Sequence, residues 1–391
     1  MNKADRIGRY VKSSVVAGES FRAYIPQPLP PEPPIDMTDL YPLLDKATSA
    51  LGRLDGMSMV LPDASLFLYM YVRKEAVLSS QIEGTQSSLS DLLLFESEAA
   101  TGVPLDDVTE VSRYVAAMNF GLERLQEFPL SLRLIREIHA KLMENARGGN
   151  KQPGEFRTSQ NWIGGTRPGT AKFVPPPADE VMGCLDRFER FLHDEESRNR
   201  LPVLVRIALA HVQFETIHPF LDGNGRLGRL LITFILCAEG ILRAPLLYIS
   251  LYLKANRQAY YDHLQSVRES GDWEAWIAFF LTGVIETANQ ATETAQSILH
   301  LFAKDRAAIE SSGKSNATVL TIHANLQRHP LVTTSKLKDL CSVSLPTVLR
   351  NLSVLEDLGI VKEVTGKDRN KLFAYSSYLE ILNKGTEPYT Y

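Results

Sequence analysis

The sequence predicts a mainly α-helical chain with one small β-hairpin in its middle and a mixed unit of helices and strands at its C-terminal end. Three observations carry this. Apolar residues recur at helical spacing through most of the chain, as in LYPLLDKATSALGRL from Leu40 and LPVLVRIALAHVQFETI from Leu201. Glycine and proline crowd into one stretch, GGNKQPGEFRTSQNWIGGTRPGTAKFVPPP, where a helix cannot continue. Past residue 313 the pattern changes to three short helical runs and then two strand-like runs around a Gly-Lys-Asp turn. The boundaries that follow are 1–105, 106–285, a linking helix at 286–312, and 313–391.

With 391 residues the chain can bury more than one core. A net charge of −4 gives no bulk attraction to nucleic acid or an anionic membrane. Cys184, Cys237 and Cys341 are far apart and without CxxC spacing, so they read as buried thiols of a reducing compartment. The opening MNKADRIGRYVKSS has no apolar core, and no run of 18 apolar residues follows. The expectation is a soluble, cytoplasmic protein that makes no use of a membrane.

Taken in order, YIPQPLPPEPPI holds six prolines from Pro26 to Pro34 and reads as an extended arm that packs on its own domain or acts as a spacer, more than as a ligand for an aromatic groove in another protein. Helices follow from Asp39 and from Ala64 to Gln81, the second capped near Gly84, with another starting at Ser88–Asp91. Two more occupy 106–148, where His139 sits among apolar positions and reads as a core histidine. NWIGG and AKFVPPP read as hairpin strands joined at Thr166–Thr170, with an open edge to which an extended segment could add. Residues 178–199 form one amphipathic helix, and the helix from about 201 to 216 carries His211 and Glu215.

That helix runs into His218–Arg229, HPFLDGNGRLGR, and LLITFILCAEGIL forms the next helix. Gly223, Asn224 and Gly225 form a turn that opens it, and a helix N-terminus offers free N–H groups to a phosphate. Arg226 and Arg229 lie three apart beside that seat and can grip a polyphosphate with two guanidinium forks. Asp222 is placed to hold a hard cation such as Mg²⁺ against phosphates. His218 has the ordinary pKa of a general base near neutrality. Base, cation ligand, anion seat and clamps together fit phosphoryl-type transfer.

These twelve residues match HxFx(D/E)GNGRxxR at every specified position, and the chain resembles the Fic family over about residues 25–285. The resemblance implies a Fic helical core whose hairpin is a flap. It implies transfer of AMP from ATP to a Ser, Thr or Tyr hydroxyl of a protein, itself included, with Mg²⁺ as cofactor. His218 becomes the base, with Asp222 on the metal and Phe220 pointing inward. Gly223, Asn224, Gly225, Arg226 and Arg229 hold ATP, and Tyr260 or Tyr261 meets the adenine. Some relatives carry asparagine where this chain has Arg268. Lys172, Phe173, Val174 and Pro175 are the flap residues that dock a target, and Arg157 and Ser159 resemble an RxSQ-type segment. His211, Glu215 and His218 show metal-ligand spacing, but the motif leaves His218 free, so no zinc site is expected.

Upstream, Ser79 to Gly84 matches (S/T)xxxE(G/N), the inhibitory signature of the family. A carboxylate at Glu83 that pairs with Arg229 would occupy the fork a γ-phosphate needs. Residues 1–105 then hold an inhibitory helix beside the proline arm. The family also allows such a glutamate to align a water that removes AMP.

The C-terminal unit resembles a winged helix-turn-helix. It carries +3 against −7 for residues 1–312. Thr347, Arg350 and Asn351 on its third helix, and Lys367, Arg369 and Lys371 in its wing, could meet DNA phosphates. A DNA-binding regulator with a nucleotide-sensing core is therefore the rival reading, and a homodimer is left open.

Overall fold

The computed structural model describes residues 3–14, 20–60, 64–96, 105–144, 152–366 and 369–388. An antiparallel hairpin opens it, β1 (Arg9–Ser14) paired with β2 (Ser20–Ile25) so that Arg9 faces Ile25. Four helices follow: α1 (Tyr41–Val60), α2 (Ala64–Ile82), α3 (Leu89–Glu96) and α4 (Leu105–Arg124). The next is α5 (Leu132–Leu142), started by the Ser131 side chain accepting from the Leu134 N–H. After the Gly/Pro stretch come α6 (Ala178–His193), α7 (Glu195–Arg200), α8 (Val203–Ile217), α9 (Asn224–Ala238), α10 (Ser250–Ala255) and α11 (Arg257–Ser270). A 39-residue helix, α12 (Trp273–Ser311), then leads to the C-terminal unit.

The α8–α9 pair is the axis of the core. Every residue from Leu204 to Ile217 is buried, which explains why this helix reads as nearly continuous apolar sequence rather than an amphipathic stripe. Small residues let neighbours close in. The indole of Trp276 on α12 donates to the Ala208 carbonyl at 2.9 Å. Gly121 on α4 lies so close to the Phe234 ring of α9 that a Cβ there would collide.

Several sequence expectations change. The linking helix expected at 286–312 is the second half of α12, because no glycine or proline breaks the pattern after Gly283. The single helix expected at 178–199 is two, since Asp194 leaves helical geometry to cap α7 through the Ser197 N–H at 2.8 Å. The central hairpin reduces to one bridged pair, Ile163 with Phe173, and a short turn at Pro168–Thr170. Pro175, Pro176 and Pro177 have no N–H with which to extend a ladder. Its edge is also partly taken, because the Tyr24 N–H of β2 donates to the Val174 carbonyl at 2.9 Å. The β1–β2 hairpin itself is absent from the sequence reading.

The proline arm packs on its own domain, as expected. Buried Arg6 donates to the carbonyls of Pro33 and Pro34, and Gln213 donates to Gln27 O at 2.9 Å.

The C-terminal unit contains α13 (Ala317–Arg328), β3 (Leu331–Thr333), α14 (Thr334–Cys341), α15 (Leu345–Asp357), β4 (Lys362–Glu363) and β5 (Leu372–Ala374), with strand order β3-β5-β4. The sequence reading lacked β3. Asn351, expected to face DNA, is buried; it accepts from the Asn316 amide at 3.0 Å and donates to Thr347 O at 2.8 Å. Lys367 lies outside the described residues. Two exposed leucines, Leu345 and Leu349, share α15 with Arg350.

The last helix, α16 (Ser376–Asn383), returns the chain to the core. Buried Lys74 of α2 donates to Lys384 O at 2.8 Å, and buried Gln81 donates to Thr386 O at 2.9 Å and Ser87 O at 2.8 Å. Thr386 is itself buried. A buried donor left without its acceptor costs about 1–3 kcal/mol. Ending the chain at Asn383 should therefore lower unfolding stability by about 2–4 kcal/mol in urea titration; a loss below about 0.5 kcal/mol would contradict this packing.

Candidate functional site

The site forms where α8 ends and α9 begins. His218 stops α8 in the left-handed region, φ 49°, and Gly223 precedes α9 at φ 74°. Between them Phe220 turns inward and is fully buried, as expected. Asn224 bonds Phe220 from both ends of its side-chain amide. Its side-chain oxygen accepts the Phe220 N–H at 2.9 Å and its amide donates to the Phe220 carbonyl at 2.8 Å. The Asn224 side chain is thus spent on the loop, leaving its backbone for a ligand.

His139 stacks on Phe220 with ring centroids 3.7 Å apart. The Gly154 N–H donates to its Nδ1 at 2.9 Å, which leaves the proton on Nε2 to donate to the Asp222 carbonyl at 3.0 Å. It is a core histidine, as expected, and one that carries the motif loop on its face. Arg157 fixes the other side. Its Nε donates to the His218 carbonyl at 2.9 Å and its terminal nitrogens to Ser159 O at 3.1 Å and Pro176 O at 2.6 Å. His218 and the end of the central hairpin segment hang from one guanidinium.

Burial and the charges of Arg157 and Arg268 push the His218 imidazole down to about 4, against the pull of the Glu215 carbonyl and the Glu83 carboxylate. At neutral pH the ring is unprotonated, the state a base requires. Asp222 is only partly covered and accepts the Gly223 N–H at 2.7 Å.

Arg229 is fully buried. Its Nε donates to Ser79 Oγ at 2.8 Å, and one terminal nitrogen reaches Ser79 O at 3.0 Å and Glu83 Oε1 at 2.7 Å. The structure thus joins Ser79, Glu83 and Arg229, which the sequence separates by more than a hundred residues. Burial alone would raise the Glu83 carboxyl, but Arg229 outweighs it and holds it below the ordinary value. The same carboxylate lies over the first turn of α9, where a Cβ on Gly225 would collide with Glu83 Oε1. A negative group already rests on the anion seat.

Arg226 has a partner the sequence reading missed. Its Nη1 pairs with Glu110 of α4 at 2.7 Å, with Asp222 further off at 3.7 Å. Nothing in the sequence separates Glu110 from the other charges of an amphipathic helix. Gly228 was also missed, and the carboxyl of buried Glu215 lies where its Cβ would be. Burial raises Glu215 to about 7, and its Oε1 has no hydrogen-bond partner. His211 bonds Gly228 O at 3.0 Å and the Tyr260 hydroxyl at 2.8 Å, a structural role and not a metal one. Among the described residues no cluster of three metal-ligating side chains forms.

The tyrosine pair divides. Tyr260 is enclosed at 1% exposure between His211 and Trp276, so it has no free face for a base. Tyr261 keeps 37% of its surface and is the one that can offer a ring. In the flap Lys172 is exposed, whereas Phe173, Val174 and Pro175 turn inward.

Residues 41–123 match the Fic/DOC family N-terminal region and residues 129–236 match the Fic/DOC family. The chain carries a Fic domain. A "Protein adenylyltransferase Fic" from Culex quinquefasciatus is 32% identical over 244 residues, covering 60% of this chain and 44% of the relative. A protein of the same name from Drosophila grimshawi is 28% identical, covering 60% and 45%. The match thus spans less than half the length of these curated relatives. The fold is similar to the crystal structure of a Fic family protein from Desulfovibrio desulfuricans G20, with TM-score 0.55, 19% identity, and coverage of 89% of this chain and 98% of that one. Fic-1 from C. elegans gives TM-score 0.50 at 23% identity, covering 67% and 75%. The described helices include none long and apolar enough to cross a membrane.

Burial pushes the His139 ring down to about 4. The unfolded chain takes this proton below about pH 6.5 and the folded one refuses it, so the contribution of His139 is full above pH 6.5 and is lost as pH falls towards 4. Glu75 and Glu215, raised to about 7, act in the opposite sense. They are present in both proteins of a comparison and cancel. Wild type should therefore lose its stability advantage over His139→Gln by about 1.4 kcal/mol per pH unit between pH 6 and 4.5. Denaturant titrations at both ends of that window measure it, and parallel curves would refute the assignment.

Proposed function

We propose that this protein is an adenylyltransferase that moves AMP from ATP to a protein hydroxyl and is restrained by Glu83. The carrying observation is the Glu83 carboxylate, which pairs with Arg229 over the N-terminal turn of α9. A carboxylate there occupies the position suited to a terminal phosphate, and the two cannot share one guanidinium fork. The names of the relatives support the choice of AMP.

In this reading the phosphates of ATP lie on the backbone of Gly223–Gly225, and Arg229 grips the terminal phosphate once Glu83 leaves. Arg226 reaches the phosphates beside it, and the ring of Tyr261 borders the base. Asp222 offers one accessible carboxylate, which fits a Mg²⁺ ion that keeps most of its waters and shares phosphate oxygens. When bound, that ion neutralises phosphate charge. His218 takes the proton of a Ser, Thr or Tyr hydroxyl, whose oxygen bonds to the α-phosphorus as pyrophosphate departs. The arriving negative charge raises the imidazole from about 4 towards neutrality, where it accepts a proton more readily. Lys172 is the exposed flap residue that can meet the target.

DNA binding is the weaker reading, because Asn351 is internal and the exposed face of α15 carries two leucines.

Losing a positioned base typically costs about 10² to 10⁴ in rate. His218→Ala should therefore keep ATP affinity and lose AMP transfer by that factor, measured with labelled ATP and Mg²⁺; undiminished transfer would sink the assignment. Glu83→Gly should increase AMP incorporation into the protein itself or a target. A variant no more active than wild type would argue against restraint, and release of AMP from premodified protein that requires Glu83 would assign it the water-aligning role.

A further inference from the structure

Arg268 is a buried cation with no part in the proposed reaction. It stands on α11, is 5% exposed, and among the described residues no carboxylate lies within ion-pair distance. Burying a guanidinium without a counter-charge is costly, and such a group persists only where other interactions hold it. Two sets do so here. Its Nε donates to Thr216 Oγ1 at 3.1 Å and one terminal nitrogen to the Glu215 carbonyl at 3.3 Å, in the last turn of α8 before His218. Its flat face lies over the Phe173 ring of the flap, 3.9 Å from the centroid.

Phe173 is held from its other neighbour by Tyr24, with ring centroids 6.0 Å apart, while the Tyr24 N–H bonds Val174 O. The main chain of the flap touches its own opposite strand only at the Ile163–Phe173 pair. The position of the flap therefore depends on side-chain anchors more than on a ladder. Arg157 joins the root of the flap to the end of α8, and Arg268 is the anchor that joins its Phe173 side chain to that helix.

We infer that Arg268 is a positioning residue: it ties the flap at Phe173 to the last turn of α8, so that the seat for the target segment and the imidazole of His218 keep one fixed spacing. This rests on the adenylyltransferase reading for its kinetic consequence but not for its structural one. A cation near the C-terminal carbonyls of α8 is favourable for any positive side chain. The ring contact is different, because a planar guanidinium can stack on Phe173 and donate edge-on to α8 at the same time, whereas an ammonium cannot.

The test compares Arg268→Lys, Arg268→Gln and Phe173→Leu, singly and with Arg268→Gln combined with Phe173→Leu, each in the Glu83→Gly chain. Amide hydrogen exchange over residues 161–175, thermal melting, ATP affinity and the single-turnover rate of AMP labelling of the chain itself are measured. Arg268→Lys should keep the melting temperature yet expose the flap to faster exchange. Arg268→Gln should slow labelling on the order of tenfold to a hundredfold, as a misplaced reactive pair does, with ATP affinity unchanged. Adding Phe173→Leu to Arg268→Gln should slow it no further. Full flap protection in Arg268→Lys would overturn the proposal and leave Arg268 a helix-end charge. Additive losses in the double variant would overturn it as well. If the Glu83→Gly parent labels nothing, the transferase reading fails, while the exchange experiment still decides the role of Arg268.

Discussion

The structure depends on finding partners for the buried guanidinium of Arg229. A fully buried cation must be hydrogen-bonded and counter-charged, or its desolvation outweighs what the fold gains. Ser79 supplies a hydroxyl and a carbonyl, and Glu83 the charge. Both stand at the end of α2, so α2 must dock against α9 at one rotation. Gln81 between them is held from behind by Thr386 and Ser87, and Lys74 two turns earlier by Lys384. The ion pair, the docking of α2 and the return of the C-terminal segment are thus one mechanical unit.

A second consequence concerns the glycines of the motif. Gly223 takes φ 74°, which only glycine adopts without strain. Gly225 and Gly228 have ordinary helical geometry and are small for another reason. Each lies under a carboxylate, Glu83 over Gly225 and Glu215 beside Gly228. Glycine here makes room for oxygen atoms at the surface of α9. The same room over Gly225 is what the proposed phosphate seat requires.

Much of this was legible in the sequence, and the parts that were not share a physical cause. HPFLDGNGRLGR is local chemistry, with base, turn and clamps within twelve residues, so its arrangement could be read directly. The pairing of Glu83 with Arg229 was legible only through the family signature, since no spacing rule connects positions 146 residues apart. Glu110 carried no such mark, because a glutamate on an amphipathic helix is ordinarily a solvated charge. Tyr260 and Tyr261 are neighbours in sequence and opposites in environment, one walled in by Trp276 and one at the surface, and periodicity resolves faces but not which face meets a cavity. The central hairpin was read as a ladder because its apolar runs alternate with turn residues. Three consecutive prolines and a competing strand from the N-terminus decided otherwise.

The two clamp arginines now differ in kind. Arg229 is held by the last turn of α2 and by a carboxylate that lies on the anion seat itself. Arg226 is held by Glu110, which approaches from α4 and leaves the N-terminal turn of α9 uncovered. The space over Gly225 is taken by Glu83 Oε1, whereas the Arg226 guanidinium keeps donors beyond the one that meets Glu110, since it has five arranged in a fork. The Glu83–Arg229 pair sits at the end of α2, which the C-terminal segment holds from behind through Lys74 and Gln81. Gln81, which donates to the Thr386 carbonyl, stands two residues from Glu83, so the backbone that carries the carboxylate is packed directly against the returning C-terminal segment.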